Sequence, residues 1–128
     1  MIKVACGIIK NSGKYFLCRR GPSKTFSGFW EFPGGKVENN ETPEDALKRE
    51  LIEELNMKVE ILNCFTTVNY DYDTFKIELI AFSCNYVDST INMIDHDRVE
   101  WLDLEQLSLK KLTPADIPIV RKLNSLNR

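Results

Sequence analysis

The amino-acid sequence predicts an α/β fold, specifically an α/β/α sandwich in which a mixed β-sheet lies between helices. Segments rich in β-branched and aromatic residues stand on both sides of one strongly signalled helix, and another helical segment lies near the C terminus. The chain has 128 residues, 43% of them hydrophobic, which is enough for a sizeable core. Because no repeat, low-complexity tract or linker occurs, residues 1–128 are expected to form a single domain.

The first part of the chain predicts a β-hairpin followed by a loop. Ile2–Lys10 and Tyr15–Arg19 are predicted strands joined by a tight polar turn. Gly21–Gly28 is rich in Gly, Pro, Ser and Thr, and a loop of this composition is free to border a ligand pocket. Phe29–Pro33 is a predicted short strand that leads into a glycine pair.

The central helix is predicted over Pro43–Leu55. Thr42 is a good N-cap, and the proline that follows has the fixed φ that suits a first helical position. Asn56 can adopt the left-handed conformation that ends a helix. One side of this helix carries a stripe of leucines that is expected to be buried, at Leu47, Leu51 and Leu55.

The remainder of the chain predicts more strands and two further helices. Val59–Tyr70 and Thr74–Tyr86 are expected to form an antiparallel hairpin, and Val99–Leu102 a last short strand. A short helix is predicted at Leu104–Leu107, and a final helix is expected to start at Thr113–Asp116.

Composition excludes several functional classes. The net charge is −2, so no basic field is present to hold a nucleic acid polymer, and no apolar run approaches the ~18 residues of a membrane span. The N terminus lacks the layout of a signal peptide, which favours a cytoplasmic location. The four cysteines are widely separated and stand in strand-like segments, so they are expected to be buried free thiols rather than zinc ligands.

Three glutamates of the central helix are predicted to share one edge. At about 100° per residue, Glu50, Glu53 and Glu54 fall within an arc of roughly 100°. Acids at these spacings repel by roughly 0.2–0.5 kcal/mol per pair, and a hard divalent cation would reverse the sign. The alternative is a solvated acidic face whose charge Lys48 and Arg49 balance.

The spacing of residues around this helix resembles the Nudix box of the Nudix hydrolases. Gly35, Glu41 and the run Arg49–Met57 meet the pattern at all positions except one, where Asn56 replaces the family's glycine. The resemblance extends to VACGIIKNSGKYFLCRR, WEFPGGKVENNETPEDALKRELIEEL and PADIPIVRKL, which are similar to the compact MutT-type branch. It implies the α/β/α sandwich of that family.

The resemblance also implies a divalent-metal-dependent hydrolase, with Mg²⁺ as the cofactor and Mn²⁺ as a substitute. It implies that Arg49 orients a box glutamate, that Glu41 is an outer acid, and that Glu53 is the general base unless the metal itself generates hydroxide. On this basis the expected catalytic residues are Glu53, Glu50 and Arg49, and the expected metal ligands are Gly35, Glu50, Glu53, Glu54 and Asp95.

Asp95 is included because MutT-like members carry a metal-reaching acid six residues before the tryptophan that here is Trp101. The alternative for Asp95 is a loop residue that makes an Asx turn. His96, the only histidine, is expected to lie on the surface in the same loop.

Three residues outside the box are candidates to bind substrate. Arg20 ends a strand and would donate to phosphate, unless it is a plain surface charge. Phe32 would stack on a base, together with Phe26, unless Phe32 belongs to the core. Asp116 stands where the branch reads the base, and an ionised carboxylate would favour bases with an amino group or ring N–H. The alternative for Asp116 is an N-cap of the last helix.

Members of the MutT-type branch cleave nucleoside triphosphates to the monophosphate and pyrophosphate. The expected activity is therefore cleavage of modified or oxidised nucleotides such as 8-oxo-dGTP, with CTP or 5-methyl-dCTP as the alternative substrates. A non-catalytic nucleotide-sensing domain is the alternative of another class. The expected partner is a small nucleotide, and the chain is expected to be a monomer or homodimer.

Overall fold

The computed structural model describes residues 1–126 and confirms the α/β/α sandwich. Seven strands and three α-helices make up the described chain. The strands are β1 (Ile2–Asn11), β2 (Lys14–Arg20), β3 (Trp30–Glu31), β4 (Gly34–Lys36), β5 (Met57–Tyr72), β6 (Phe75–Ser89) and β7 (His96–Leu102). The helices are α1 (Pro43–Leu55), α2 (Leu104–Ser108) and α3 (Ile117–Leu126).

The strands form one mixed sheet in the order β3-β2-β1-β6-β5, with β4 paired to β1 and β7 paired to β2. β1 and β6 run parallel, from the pair Ile2–Ile77 to the pair Lys10–Asn85, and the other pairings are antiparallel. Both predicted hairpins are therefore confirmed, β1 with β2 and β5 with β6. The central position of β1 brings the glycine-containing β4 close to Arg49 and Glu50 in the middle of α1.

The sheet is covered on both faces, and the alternation of β1 explains how. Ala5 and Ile9 point to the side covered by α1, where the predicted leucine stripe is buried. Cys6 and Ile8 point to the other side, which α2 and α3 cover with apolar residues including Leu107, Ile119, Val120 and Leu123. The core on the α1 side packs this helix against the sheet.

The predicted signals of α1 are confirmed in detail. Thr42 Oγ1 accepts from the Asp45 amide at 3.1 Å, and Pro43 occupies the first turn. Asn56 ends the helix with φ 49° and ψ 47°, and its amide donates to Ile52 O at 3.0 Å. The orientation of the glutamates on this helix is therefore fixed by local sequence.

Other expectations need correction. β7 begins at His96 rather than at Val99, because pairing with β2 extends to Arg20. The final helix is preceded by a separate 3₁₀ turn at Pro114–Asp116. Cys64 is exposed while the other three cysteines are buried, because register shifts on either side of Cys64 interrupt the alternation of β5.

Candidate active site

Arg49 binds three acids at the edge of α1. Its Nη2 and Nε donate to the two oxygens of Glu41 at 2.7 and 3.1 Å, and its Nη1 donates to Glu50 at 2.8 Å and to Glu53 at 3.2 Å. Nη2 also donates to Lys36 O at 3.0 Å, which ties the helix to β4. The hydrogen bond with Glu41 raises the pKa of Arg49, and the same contact lowers the pKa of Glu41. Arg49 thus contacts both Glu50 and Glu53, and the prediction that it orients a box glutamate stays a prediction.

Gly35 allows the Glu50 carboxylate to lie against the backbone of β4. A Cβ at position 35 would stand 2.3 Å from Glu50 Cδ and Oε2, which no side chain can occupy while Glu50 remains in place. Glycine is required at position 34 for a different reason, since a Cβ there would stand 1.9 Å from Ala5 O of β1. Gly34 allows β4 to pair closely with β1, and Gly35 leaves room for the Glu50 carboxylate.

Glu54 meets Asp95 at the far side of the same edge. Two carboxylates in contact have no hydrogen to share when both are ionised, and Glu54 Oε2 is buried with no donor among residues 1–126. Burial first, and then the contact with Asp95, raises the pKa of Glu54 to about 7. The pKa of Asp95 is lowered, first by the hydrogen bond with Glu54 and also by Lys24, whose Nζ lies 3.1 Å from Asp95 Oδ1.

These five carboxylates, Glu41, Glu50, Glu53, Glu54 and Asp95, are called the acidic edge below. Only Arg49 and Lys24 are in salt bridges with the edge among the described residues, so negative charge is in excess. The solvated-face alternative does not hold for the whole edge: the Glu53 side chain is 58% exposed, but that of Glu50 is 16% exposed. The donors are all oxygens, and one of them is buried and unpartnered. This set fits a hard divalent cation.

A cleft of about 450 Å³ adjoins the acidic edge, and it is called the base cleft below. Gly34, Gly35 and Lys36 of β4 line the part of the cleft that is next to Glu50. The remaining wall is largely aromatic and apolar, with Phe26, Phe32, Tyr72, Phe75, Ile77 and Leu79. Arg20, Glu31 and Asp116 are its ionisable residues beyond β4. All three predicted substrate-binding residues therefore line one cleft.

Asp116 is buried in this cleft, with 4% of its surface exposed. Its Oδ2 accepts from the Phe32 amide at 2.8 Å, so the alternative of an N-cap for the last helix is not supported. Burial first, and then the charge of Glu31, raises the pKa of Asp116 to about 8. The carboxyl is accordingly protonated at neutral pH, and it is able to donate as well as accept. Phe32 lies in the core and lines the cleft at once.

Arg20 is paired inside the protein rather than free at the surface. Its Nη1 donates to both oxygens of Glu31 at 3.1 Å, and its Nε donates to Thr25 O of the loop between β2 and β3. His96 Nε2 lies 2.9 Å from Glu31 Oε2. His96 is 9% exposed, so the prediction of a surface histidine was wrong. The pairing of β7 with β2 buries it beside Glu31.

A family model described as the NUDIX domain matches residues 1–123. The chain belongs to the Nudix family. The MutT-like identity is supported by two curated relatives from Escherichia coli K12. The chain is 32% identical to a CTP pyrophosphohydrolase over 126 residues, covering 98% of this chain and 93% of the relative. It is 31% identical to an 8-oxo-dGTP diphosphatase over 126 residues, covering 98% of each.

Solved structures agree with this membership. The MutT protein from Methanosarcina mazei Go1 superposes with a TM-score of 0.88 at 27% identity, covering 99% of this chain and 95% of that one. The Escherichia coli ORF135 protein superposes with a TM-score of 0.85 at 32% identity, covering 99% and 91%. The fold of this chain is therefore that of known Nudix proteins.

Membership of the Nudix family, with relatives named as diphosphatases and pyrophosphohydrolases, makes this chain a hydrolase of phosphoric anhydrides. The prediction of an enzyme is confirmed over that of a non-catalytic sensing domain. Nudix hydrolases generally use a divalent metal ion, with which the oxygen-rich acidic edge is compatible. Among residues 1–126 no helix is long and apolar enough to span a membrane.

Four polar residues of this Nudix site were missed or misjudged from the sequence: Lys24, Glu31, Tyr72 and His96. Glu31 meets Arg20 and His96 only through the pairings of β2 with β3 and β7, which join distant parts of the chain. Tyr72 lines the base cleft because β5 is longer than predicted and reaches it. The sequence signal that could have indicated a role for Glu31 is its position as a charged residue between two large aromatic residues, Trp30 and Phe32.

Proposed function

We propose that this chain is a Mg²⁺-dependent nucleoside triphosphate pyrophosphohydrolase of the MutT type. It cleaves modified or oxidised nucleoside triphosphates such as 8-oxo-dGTP to the monophosphate and pyrophosphate. Water cleaves the phosphoric anhydride between the α- and β-phosphates. One product gains the OH group of the water, and the other gains its remaining hydrogen as a proton. The chain acts as a single domain and works as a monomer or homodimer.

The observation that carries this proposal is the position of Gly35. Gly35 lies against the Glu50 carboxylate on one side and lines the base cleft on the other. A substrate that fills both regions has a charged polyphosphate beside the acidic edge and a planar base in the cleft. A nucleoside triphosphate has this layout.

The acidic edge suits the phosphate half of the substrate. Glu50, Glu53, Glu54 and Asp95 would hold Mg²⁺ together with the backbone at Gly35. Bound there, Mg²⁺ supplies positive charge that offsets the charge developing on the phosphate oxygens. Glu53 is the most exposed box glutamate in contact with Arg49, and we assign to it the proton of the attacking water. Arg49 keeps Glu53 and Glu50 in their orientations.

The base cleft suits the nucleoside half. Phe32 and Phe26 offer aromatic surface to a base, and Asp116 offers a carboxyl for hydrogen bonding. Arg20 donates to Glu31 through Nη1 and to Thr25 O through Nε, which leaves only the N–H groups of Nη2 for a phosphate. We therefore assign Arg20 mainly to fixing Glu31 and the loop at the cleft.

Cytosine is the second candidate base, and CTP or 5-methyl-dCTP the corresponding substrates. The specific support is the 32% identity to the Escherichia coli CTP pyrophosphohydrolase over nearly all of both chains. Asp116 is compatible with the amino group of cytosine and with the ring N–H groups of 8-oxoguanine alike.

A panel of triphosphates incubated with Mg²⁺ tests the proposal through the release of pyrophosphate. The panel contains 8-oxo-dGTP, dGTP, CTP, 5-methyl-dCTP and dATP, with ADP-ribose and a diadenosine polyphosphate as competing substrate classes. We expect turnover of at least one modified or cytosine triphosphate, and its loss in EDTA. Cleavage of ADP-ribose or the diadenosine compound without cleavage of any triphosphate would overturn the assignment.

A further inference from the structure

The base cleft contains a hydroxyl that the proposed function leaves unused, that of Tyr72. Tyr72 stands at the end of β5 and lines the cleft. Its ring is held on two sides, by Phe26 at 5.5 Å and by Phe75 at 5.3 Å between ring centroids. Phe26 adopts φ 58°, a conformation that a bulky residue rarely takes and that here accompanies its contact with Tyr72. The Tyr72 side chain is thus fixed against the cleft wall.

The polarity of the Tyr72 hydroxyl is also fixed. Its oxygen accepts from the Ala115 amide at 3.3 Å, which leaves the hydroxyl hydrogen to be donated elsewhere. Within residues 1–126 the hydroxyl has no acceptor of its own. Burial raises the pKa of Tyr72 above its usual value, so the hydrogen is retained at neutral pH. Because Ala115 directly precedes Asp116, the hydroxyl and the carboxyl lie at the same end of the cleft.

The neighbouring polar groups do not offer a neutral donor that is fixed and available. Arg20 already donates to both oxygens of Glu31 and to Thr25 O. Asp116 has a pKa of about 8, so it loses its proton, and with it the ability to donate, as pH rises above neutral. Thr113 uses its hydroxyl in a hydrogen bond with Asp116, so Tyr72 is the neutral hydroxyl at this end of the site whose hydrogen is available to a ligand.

We propose that Tyr72 determines base specificity by donating a hydrogen bond to an exocyclic oxygen of the nucleobase. The substrate class is then a base with such an oxygen, which includes cytosine, 8-oxoguanine and 2-hydroxyadenine and excludes adenine. A site that leaves a polar group unpaired rejects the base that lacks its partner. This inference rests on the proposed function for the position of the base, and it adds which bases are accepted.

Tyr70 provides a matched control for the test. It belongs to the same aromatic cluster, with its ring 4.6 Å from that of Tyr72, and it also stands on β5. Tyr70 lines a different surface depression, beside Met1 and Lys76. Tyr70→Phe therefore removes a hydroxyl from the cluster without removing one from the base cleft.

The experiment measures binding of monophosphates in Mg²⁺ by isothermal titration, with dCMP, 8-oxo-dGMP, 2-hydroxy-dAMP and dAMP as probes. The wild type is expected to bind the oxygen-bearing monophosphates more tightly than dAMP. In Tyr72→Phe the Kd of the oxygen-bearing monophosphates rises about tenfold, while the Kd of dAMP stays within about twofold. The ratio of the Kd of dAMP to the Kd of each oxygen-bearing probe therefore approaches one. Tyr70→Phe keeps the wild-type ratio. The Kd values that form the ratio are measured on the same protein sample, so a lower folded fraction leaves the ratio unchanged. Destabilisation through loss of the Ala115 hydrogen bond therefore does not mimic the result.

Three results would overturn the role of Tyr72. These are equal weakening of all four probes in Tyr72→Phe, an unchanged ratio in that variant, and no binding of any probe to the wild type. The triphosphate panel is read separately. If the wild type binds the probes with the expected ratio but cleaves no triphosphate, the proposed function fails while the assignment of Tyr72 stands.

Discussion

The acidic edge and the base cleft both contain ionisable side chains, but they balance charge in opposite ways. At the acidic edge, Arg49 and Lys24 face five carboxylates, and a buried oxygen of Glu54 has no donor. In the base cleft, Glu31 is bound by Arg20 and His96, and Asp116 accepts from the Phe32 amide. The first region carries an excess of negative charge that a cation would offset, whereas the acids of the second region are paired within the protein.

The difference separates two kinds of recognition. Clustered carboxylates that the protein does not neutralise are suited to a divalent ion and, through it, to phosphate. Acids that the protein has already paired present hydrogen-bonding groups with little net charge, which suits an uncharged base. Four experiments with five substitutions would break or sharpen this contrast, and they begin with the largest expected effect.

Glu53→Gln should have the largest effect, a loss of at least about 100-fold in turnover, because it removes the proton acceptor assigned to the attacking water. Pyrophosphate release measures the loss, and circular dichroism should find the fold unchanged. Glu44→Gln is the matched control, since Glu44 is exposed on the first turn of the same helix. Full activity in Glu53→Gln would contradict the role given to Glu53.

The two glycines of β4 should respond differently to alanine. Gly35→Ala should lower turnover about tenfold or more at nearly unchanged stability, because only the flexible Glu50 side chain has to move. Gly34→Ala should instead lower the free energy of unfolding by about 3 kcal/mol or more, because its Cβ meets the backbone of β1. Urea unfolding and steady-state rates on both variants test this. Equal effects on stability would remove the distinction between the two positions.

Mg²⁺ should stabilise the wild type more than it stabilises Glu54→Gln. At pH 8, where Glu54 is ionised, saturation at about 100 times Kd contributes ~2.7 kcal/mol and raises Tm by several degrees. Glu54→Gln removes a partly buried negative charge, so its metal-free Tm should be higher than that of the wild type and its gain in Mg²⁺ smaller. Thermal unfolding with and without Mg²⁺ measures both. If the two proteins gain equally, Glu54 is not a ligand.

Asp116→Asn comes last, because its effect is spread over several pH units and is seen only in the pH dependence of stability. A carboxyl whose pKa is raised to about 8 binds its proton more tightly in the folded protein, so it costs stability as pH rises from about 4 to about 8. The wild type should therefore lose stability relative to Asp116→Asn over that window, by up to about 1.4 kcal/mol per pH unit. Denaturant unfolding at several pH values gives the difference. Parallel profiles would mean that Asp116 is ionised in the folded protein.

The part of the acidic edge that lies on α1 could be predicted from the sequence because the information for it is local. Thr42, Pro43 and Asn56 fix where α1 begins and ends, and the helical repeat then fixes which glutamates share an edge. Arg49 was expected to orient a glutamate, and it contacts two of them. Where the chemistry follows from one helix and one short loop, the spacing of residues is sufficient.

The base cleft was predicted less completely because it is assembled from distant segments. Its candidate residues Arg20, Phe32 and Asp116 were found, but Glu31 and His96 meet them only through strand pairing. The polar neighbours of His96 favoured a surface loop, and the register of β7 on β2 overrode that preference. The protonation of Asp116 follows from burial beside Glu31, which no local pattern reveals.

The parallel pairing of β1 with β6 has a consequence for the order of folding on the ribosome. β1 can pair early with β2 and β4, but its pairing with β6, which joins Ile2 to Ile77, cannot form until most of the chain has emerged. α1 is synthesised before β6, so no complete sheet is yet present to bury its leucines. Non-local pairings of this kind slow folding and expose apolar surface in the meantime. A nascent chain of this enzyme that stalls before β6 would present its Leu47, Leu51 and Leu55 stripe to chaperones.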